Sequence, residues 1–215
     1  MRLTMICIGS TGDVKPYVLL GKELQARGHR VSICAFSDFE KMITDAGMRY
    51  FPLSGDAKEF MASIMKPGAK GALYLKQIRD SLHRIIGPFI EGMQTACEDA
   101  EAVVATYFGN IIQDIAGRRG VPFIQTHYYP MDSNTLTPIS SAPGQRAGKV
   151  WYKASYKIAY MLISLLEQYY LTDWRKEQGM PPRKVETTPR NMLGGHRVPV
   201  LYAMSPLLMP RPRLG

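Results

Sequence analysis

The sequence predicts an α/β domain built on a doubly wound, mostly parallel sheet. Three observations predict it. The 215 residues are 46% hydrophobic, enough for one domain with a substantial core. Short apolar runs alternate with helix-length amphipathic stretches. Strand–helix–strand repeats of this length imply parallel neighbours joined by right-handed crossovers.

The elements follow in order. "RLTMICIG" (Arg2 to Gly9) reads as a buried strand. "KPYVLLGKELQARG" reads as a helix with apolar Val18, Leu19 and Leu24 and a stop at Gly28. "HRVSICAF" is a second strand, "DFEKMITDAG" a short helix and "MRYFPL" a third strand. Ser54 to Gly71 reads as a loop. A long helix follows over about Leu75 to Ala100, with Pro88 expected to kink or split it. "AEAVVAT" is a fourth strand, "NIIQDIAGRRG" a helix and "VPFIQT" a fifth strand. His127 to Gly148, with Pro130, Pro138 and Pro143, reads as a long loop of the kind that often carries function. Lys149 to Gln178 is a second long helix. "GMPPRKVETTPRNMLGG" is a loop, "VPVLYAMS" a sixth strand, and "PLLMPRPRLG" the start of a linker.

Charge is unevenly placed. Met1 to Pro143 holds 15 basic and 14 acidic residues, while Gly144 onward holds 12 basic and 4 acidic. The last third therefore carries nearly all of the net +9. Such a face suits phosphates or anionic lipid, or is simply solvated. No nucleic-acid-binding motif accompanies it, so no nucleic acid is expected as partner. Cys7, Cys34 and Cys97 are odd in number and lack CxxC spacing, which suggests buried thiols in a reducing compartment. The longest apolar run, Ile158 to Leu166, is far short of the roughly 20 residues a spanning helix needs. A cytoplasmic protein is expected, with a peripheral membrane contact open. The stretch from Lys149, lysines mixed with aromatics and aliphatics, could lie on a membrane surface or pack as a domain helix.

In an open parallel sheet, ligands bind outside the carboxyl ends of the strands. That criterion selects Ser10 to Asp13, Phe36 to Asp38, Tyr107 to Asn110 and the loop from His127. In "GSTGD", Gly9 and Gly12 allow a sharp turn and close approach to a ligand, and the following helix N-terminus favours an anion. A dinucleotide site would need GxGxxG, with Asp38 as the ribose acid, and that fingerprint is incomplete. Asp13 has two compatible readings. It could cap the helix it precedes, or its carboxylate could take a proton from an attacking hydroxyl within hydrogen-bond reach. His127 could orient or deprotonate an acceptor, or serve as a loop hydrogen-bonding group. The sequence contains no HExxH, Cys/His cluster or DxD, so neither metal nor cofactor is expected.

These residues carry a resemblance. The N-terminal stretch resembles the opening of glycosyltransferases of the GT-B fold, in particular the bacterial antibiotic and sterol or lipid UDP-glycosyltransferases. Gly9, Ser10, Gly12, Asp13, Val14 and Pro16 match their G-[ST]-x-G-D-[VI]-x-P pattern. "ARGHRV", "AGMRYFPL", "LTDWRKEQGMPP" and "LYAMSPLLMPRP" fit as well. The resemblance implies that residues 1–204 form a Rossmann-like acceptor-binding domain and that 205–215 open the interdomain linker. The donor-binding C-terminal domain would be absent from this sequence, as in a fragment or one half of a split enzyme. It further implies inverting transfer of a hexose from a nucleotide sugar, a UDP-sugar above all, to a hydroxyl of a lipophilic acceptor. Asp13 would be the base. Ser10, Thr11 and Gly12 would lie near the donor, and Tyr107, Asn110 and His127 would line the acceptor cleft. A non-catalytic binding or partner subunit of the same fold, and a nucleotide-cofactor oxidoreductase, remain the alternatives.

Overall fold

The computed structural model describes residues 1–54, 86–106, 110–128, 131, 139, 147–188, 192–193, 195–205 and 207. The chain divides into two compact units, Met1–Ile124 and Gln125–Gly215.

The first unit contains β1 (Arg2–Ile6), α1 (Thr11–Ala26), β2 (Arg30–Phe36), a 3₁₀ turn (Ser37–Phe39), α2 (Glu40–Thr44) and β3 (Arg49–Leu53). A helix α3 over residues 86–96, β4 (Ala102–Thr106) and α4 (Ile111–Arg119) follow. β5 (Phe123–His127) runs across the boundary. The second unit adds α5 (Lys149–Glu177), the short strands β6 (Met192–Leu193) and β7 (His196–Arg197), and β8 (Val200–Tyr202). The main sheet has six strands in the order β3-β2-β1-β4-β5-β8. β1 pairs in parallel with β2 and β4, β2 with β3, and β5 with β8. This is the doubly wound α/β sheet the alternating pattern predicts.

The central strands are apolar because both of their faces are covered. Met5, Ile6, Ile33, Cys34, Ala35, Val103 and Ala105 are buried, and Thr4 is accommodated by donating its hydroxyl to Ala96 O at 2.9 Å. Phe36 meets Phe89 of α3 edge to face, with centroids 5.6 Å apart. Cys7, Cys34 and Cys97 are free, buried thiols. Burial pushes Cys34 and Cys97 up to about 12.

Several expectations need correction. α1 begins at Thr11, four residues before the expected start, and buries Val14, Tyr17, Val18 and Gly21 while Leu19 faces solvent. The expected loop from Gly179 to Gly195 contains β6, which pairs antiparallel with β7 just past the loop's end. These strands are too short to show periodicity, but the Gly-Gly pair at 194–195 is a hairpin signal, and Gly195 has φ +82. The expected loop from Ser54 and helix from Leu75 fall largely on residues 55–85, outside the described residues.

In the second unit, α5 matches its expected span. Its buried stripe is Ser155, Tyr156, Tyr160, Ser164, Glu167, Leu171 and Arg175. This stripe is polar because it holds extended chain. Ser164 Oγ accepts from Glu186 N at 2.9 Å, Gln168 Nε2 donates to Arg183 O at 2.7 Å, and Arg175 Nη2 donates to Pro181 O at 2.9 Å. An ion pair of 3.0 Å joins Arg183 to Glu167. These side chains pair with backbone groups of the 181–186 segment.

Candidate active site

β1 and β4 lie side by side, with Ile6 opposite Ala105, and the strand order reverses between them. The chain segments leaving β1 and β4 therefore emerge together at the switch point, where open α/β sheets bind ligands. After β1 come Gly9 to Asp13, and after β4 comes Asn110.

The turn after β1 is built around a capping box. Ser10, not Asp13, is the N-cap of α1, and Asp13 stands at the third helical position. Asp13 Oδ2 accepts from Ser10 N at 2.7 Å and from Ser10 Oγ at 3.0 Å. Ser10 O accepts from Asp13 N at 2.9 Å and from Val14 N at 3.2 Å. Ser10 N and Asp13 N are thus satisfied within the helix's own first turn, and the Ser-x-x-Asp spacing was the available sequence signal. The half-buried carboxylate is fixed at the strand–helix junction and favoured by the helix dipole. Its charge reaches down to Cys7. Burial pushes that thiol well up, and Cys34 and Asp13 add to it.

The two glycines of "GSTGD" differ in role. Gly9 has φ +144, and an added Cβ there would meet Asp13 Oδ2 at 2.3 Å. At Gly12 the nearest contact would be Ser10 Oγ at 3.6 Å, ordinary van der Waals distance. Gly9 makes the turn, while Gly12 leaves room above the first helical turn. Ser10, Thr11 and Gly12 are all exposed at that helix end.

Asn110 is the N-cap of α4 and is only 2% exposed. Behind it on α4, Gln113 and Asp114 are also buried, polar groups the sequence reading did not single out. Asp38 lies exposed in the 3₁₀ turn after β2. Tyr107 lies outside the described residues. In the second unit, His127 ends β5 and is buried. Its Nε2 is 2.9 Å from Gln125 Nε2, and its ring packs 5.3 Å from that of Tyr202, its register partner on β8. Among the described residues, no group of three or more His, Cys, Asp or Glu could hold a metal ion.

The sequence profile of the glycosyltransferase family 28 N-terminal domain matches residues 3–130. The chain is 26% identical over 210 residues to a sterol 3-beta-glucosyltransferase of Debaryomyces hansenii, covering 97% of this chain and 13% of that protein. A Neurospora crassa protein of the same name is 26% identical, over 99% of this chain and 14% of its own length. The chain therefore spans about one seventh of the length of these curated relatives. In fold, it is similar to the kitacinnamycin glycosyltransferase, with TM-score 0.57 and 16% identity over 98% of this chain and 47% of that one. It is also similar to a Streptomyces sp. SF2575 glycosyltransferase in complex with thymidine diphosphate, with TM-score 0.52 and 19% identity over 91% of this chain and 51% of that one.

Proposed function

Because the chain belongs to glycosyltransferase family 28 through its N-terminal domain, we propose that it is the acceptor-binding half of an inverting glycosyltransferase. It would transfer a hexose from a nucleoside-diphosphate sugar to a hydroxyl of a lipophilic acceptor such as a sterol. The acceptor hydroxyl gives its proton to Asp13 as its oxygen attacks the anomeric carbon. The bond from that carbon to the diphosphate breaks, and the nucleoside diphosphate leaves with the electron pair. The exposed turn of Ser10, Thr11 and Gly12 faces the donor's sugar and phosphates. The donor half supplies the rest of the nucleotide site. Tyr107 and Asn110, in the first unit, are assigned to the acceptor side.

The observation that carries this reading is the Asp13 carboxylate, held by Ser10 at the strand–helix junction of the switch point within the family-matched residues. The sterol named for the relatives supports a lipophilic acceptor. The test is Asp13→Asn in the protein joined to its donor half, with transfer from UDP-glucose to a sterol as readout. The amide keeps an acceptor oxygen for the capping box but cannot take the proton. Turnover is expected to fall by about 10²–10⁴-fold with the melting temperature little changed. Unchanged turnover would rule out Asp13 as the base.

A further inference from the structure

One ridge of α5 is basic at its start, apolar in its middle and acidic at its end. Lys149, Lys153 and Lys157 open it. Met161, Leu165 and Tyr169 make its middle, and Asp173 and Glu177 close it. Each stands four residues from the next, and all are exposed. Leu165 is 45% exposed and Tyr169 59%, with exposed Ile158 and Leu162 on the neighbouring ridge. The inward stripe meets the 181–186 segment, so this ridge is no part of that contact. Among the described residues, none of the five charged groups has an ion-pair partner within the chain. Their order is unfavourable for the helix alone. Like charges four residues apart repel, among the lysines and between Asp173 and Glu177. Lys149 and Lys153 also stand near the positive end of the helix dipole, in a helix whose first turn holds no acid.

We infer that this ridge is an interface for a second copy of the chain, the two α5 helices packing antiparallel about a two-fold axis. The ridge is its own complement when reversed. An axis halfway between Met161 and Leu165 sets Met161 against Leu165 of the copy. It sets Lys153 toward Asp173 and Lys149 toward Glu177. Lys157 comes beside Tyr169, whose ring face attracts a cation. Every one of these pairs occurs twice, as an isologous interface requires. A parallel pairing would set lysine on lysine and acid on acid. Ridges at four-residue steps interdigitate in the commonest class of helix pair, crossing at about −50°. The apolar middle then carries the contact, and the opposite charges of the diverging ends orient the pair. Off the ridge, Lys176 is exposed and Arg175 is turned inward to Pro181 O. The inference does not depend on Asp13 or on the transfer reaction.

The test is sedimentation velocity of the 215-residue chain over a concentration series at low salt. A dimer is expected whose fraction rises with protein concentration. Leu165→Gln strikes the centre of the seam twice per dimer and should weaken it about tenfold or more. Lys153→Glu sets acid against Asp173 of the copy, and Asp173→Lys sets lysine against Lys153. Each should weaken the dimer by about tenfold, since two pairs turn from attraction to repulsion. Mixed in equal amounts, these two charge variants bring opposite charges together at both positions, and the dimer should return. All three substitutions are at solvent-facing positions, and a melting curve shows whether each variant remains folded. A chain that stays monomeric at every concentration leaves the ridge to another occupant and overturns the inference. So does a dimer that folded Leu165→Gln leaves intact, or a mixture that associates no better than either charge variant by itself. A dimer formed by this chain but not by the protein joined to its donor half would also overturn it, reassigning the ridge to the rest of that polypeptide.

Discussion

A Cβ on Gly9 would stand 2.3 Å from Asp13 Oδ2, so the carboxylate occupies space that only glycine leaves open. Gly9→Ala then carries two costs: backbone strain at φ +144, and displacement of the Asp13 side chain from its bonds to Ser10. Loss of about 1–3 kcal/mol is expected. Asp13→Ala alone removes part of the capping box, at about 1 kcal/mol. In the double variant the collision is gone, and the strain and the lost cap remain, each counted once. The double loss should fall short of the sum of the singles by more than about 0.5 kcal/mol. Thermal unfolding of the four proteins measures this, and strict additivity would mean that the glycine serves the turn alone.

The buried thiols set a pH dependence. Burial holds Cys34 and Cys97 protonated up to about 12, with Cys34 raised further by Cys97 and Cys97 eased by Arg119. In the unfolded chain these thiols ionise from about pH 8.5. Between those limits the unfolded state binds fewer protons, so stability falls as pH rises. Each thiol contributes a slope of about 1.4 kcal/mol per pH unit in that window. Urea midpoints at a series of alkaline pH values should decline, and Cys34→Ala should flatten the decline whatever its effect at neutral pH. An identical slope in that variant would show that other groups govern the window.

The strand–helix alternation was legible because central parallel strands are buried on both faces and read as plain apolar runs, as in "MICI" and "AVVA". From the alternation followed the switch point and the selection of the turn after β1. The start of α1 was misplaced because Pro16 looks like a first-turn proline, whereas it sits inside the helix, five residues after Thr11. The Ser10–Asp13 box outweighs it. The facing of α5 was not legible because hydrophobic periodicity reports an apolar side without saying what it meets. Here the partner inside is extended backbone, which calls for Ser164, Gln168 and Arg175 rather than leucines. His127 looked like a loop residue, and its burial beside Gln125 and Tyr202 depends on β8, about seventy residues away in sequence.

The ion pair beneath α5 makes the last prediction. Arg183 and Glu167 are 4% and 10% exposed, and their charged atoms are 3.0 Å apart. Replacing Glu167 by Leu takes this counter-charge from the buried guanidinium, at a cost of about 3–5 kcal/mol. Replacing Arg183 by Met removes the same pair from the side of the carboxylate. Replacing both removes two desolvated charges at once, and apolar groups of similar volume can fill the space at little net cost. The double variant should therefore be more stable than either single one. The backbone bonds from Gln168 to Arg183 and from Glu186 to Ser164 do not involve either charged group, so the segment has other anchors in all three variants. Melting temperatures of the three variants decide it. A double variant as unstable as the sum of the singles would mean that the pair holds the 181–186 segment by its geometry rather than by its charge balance.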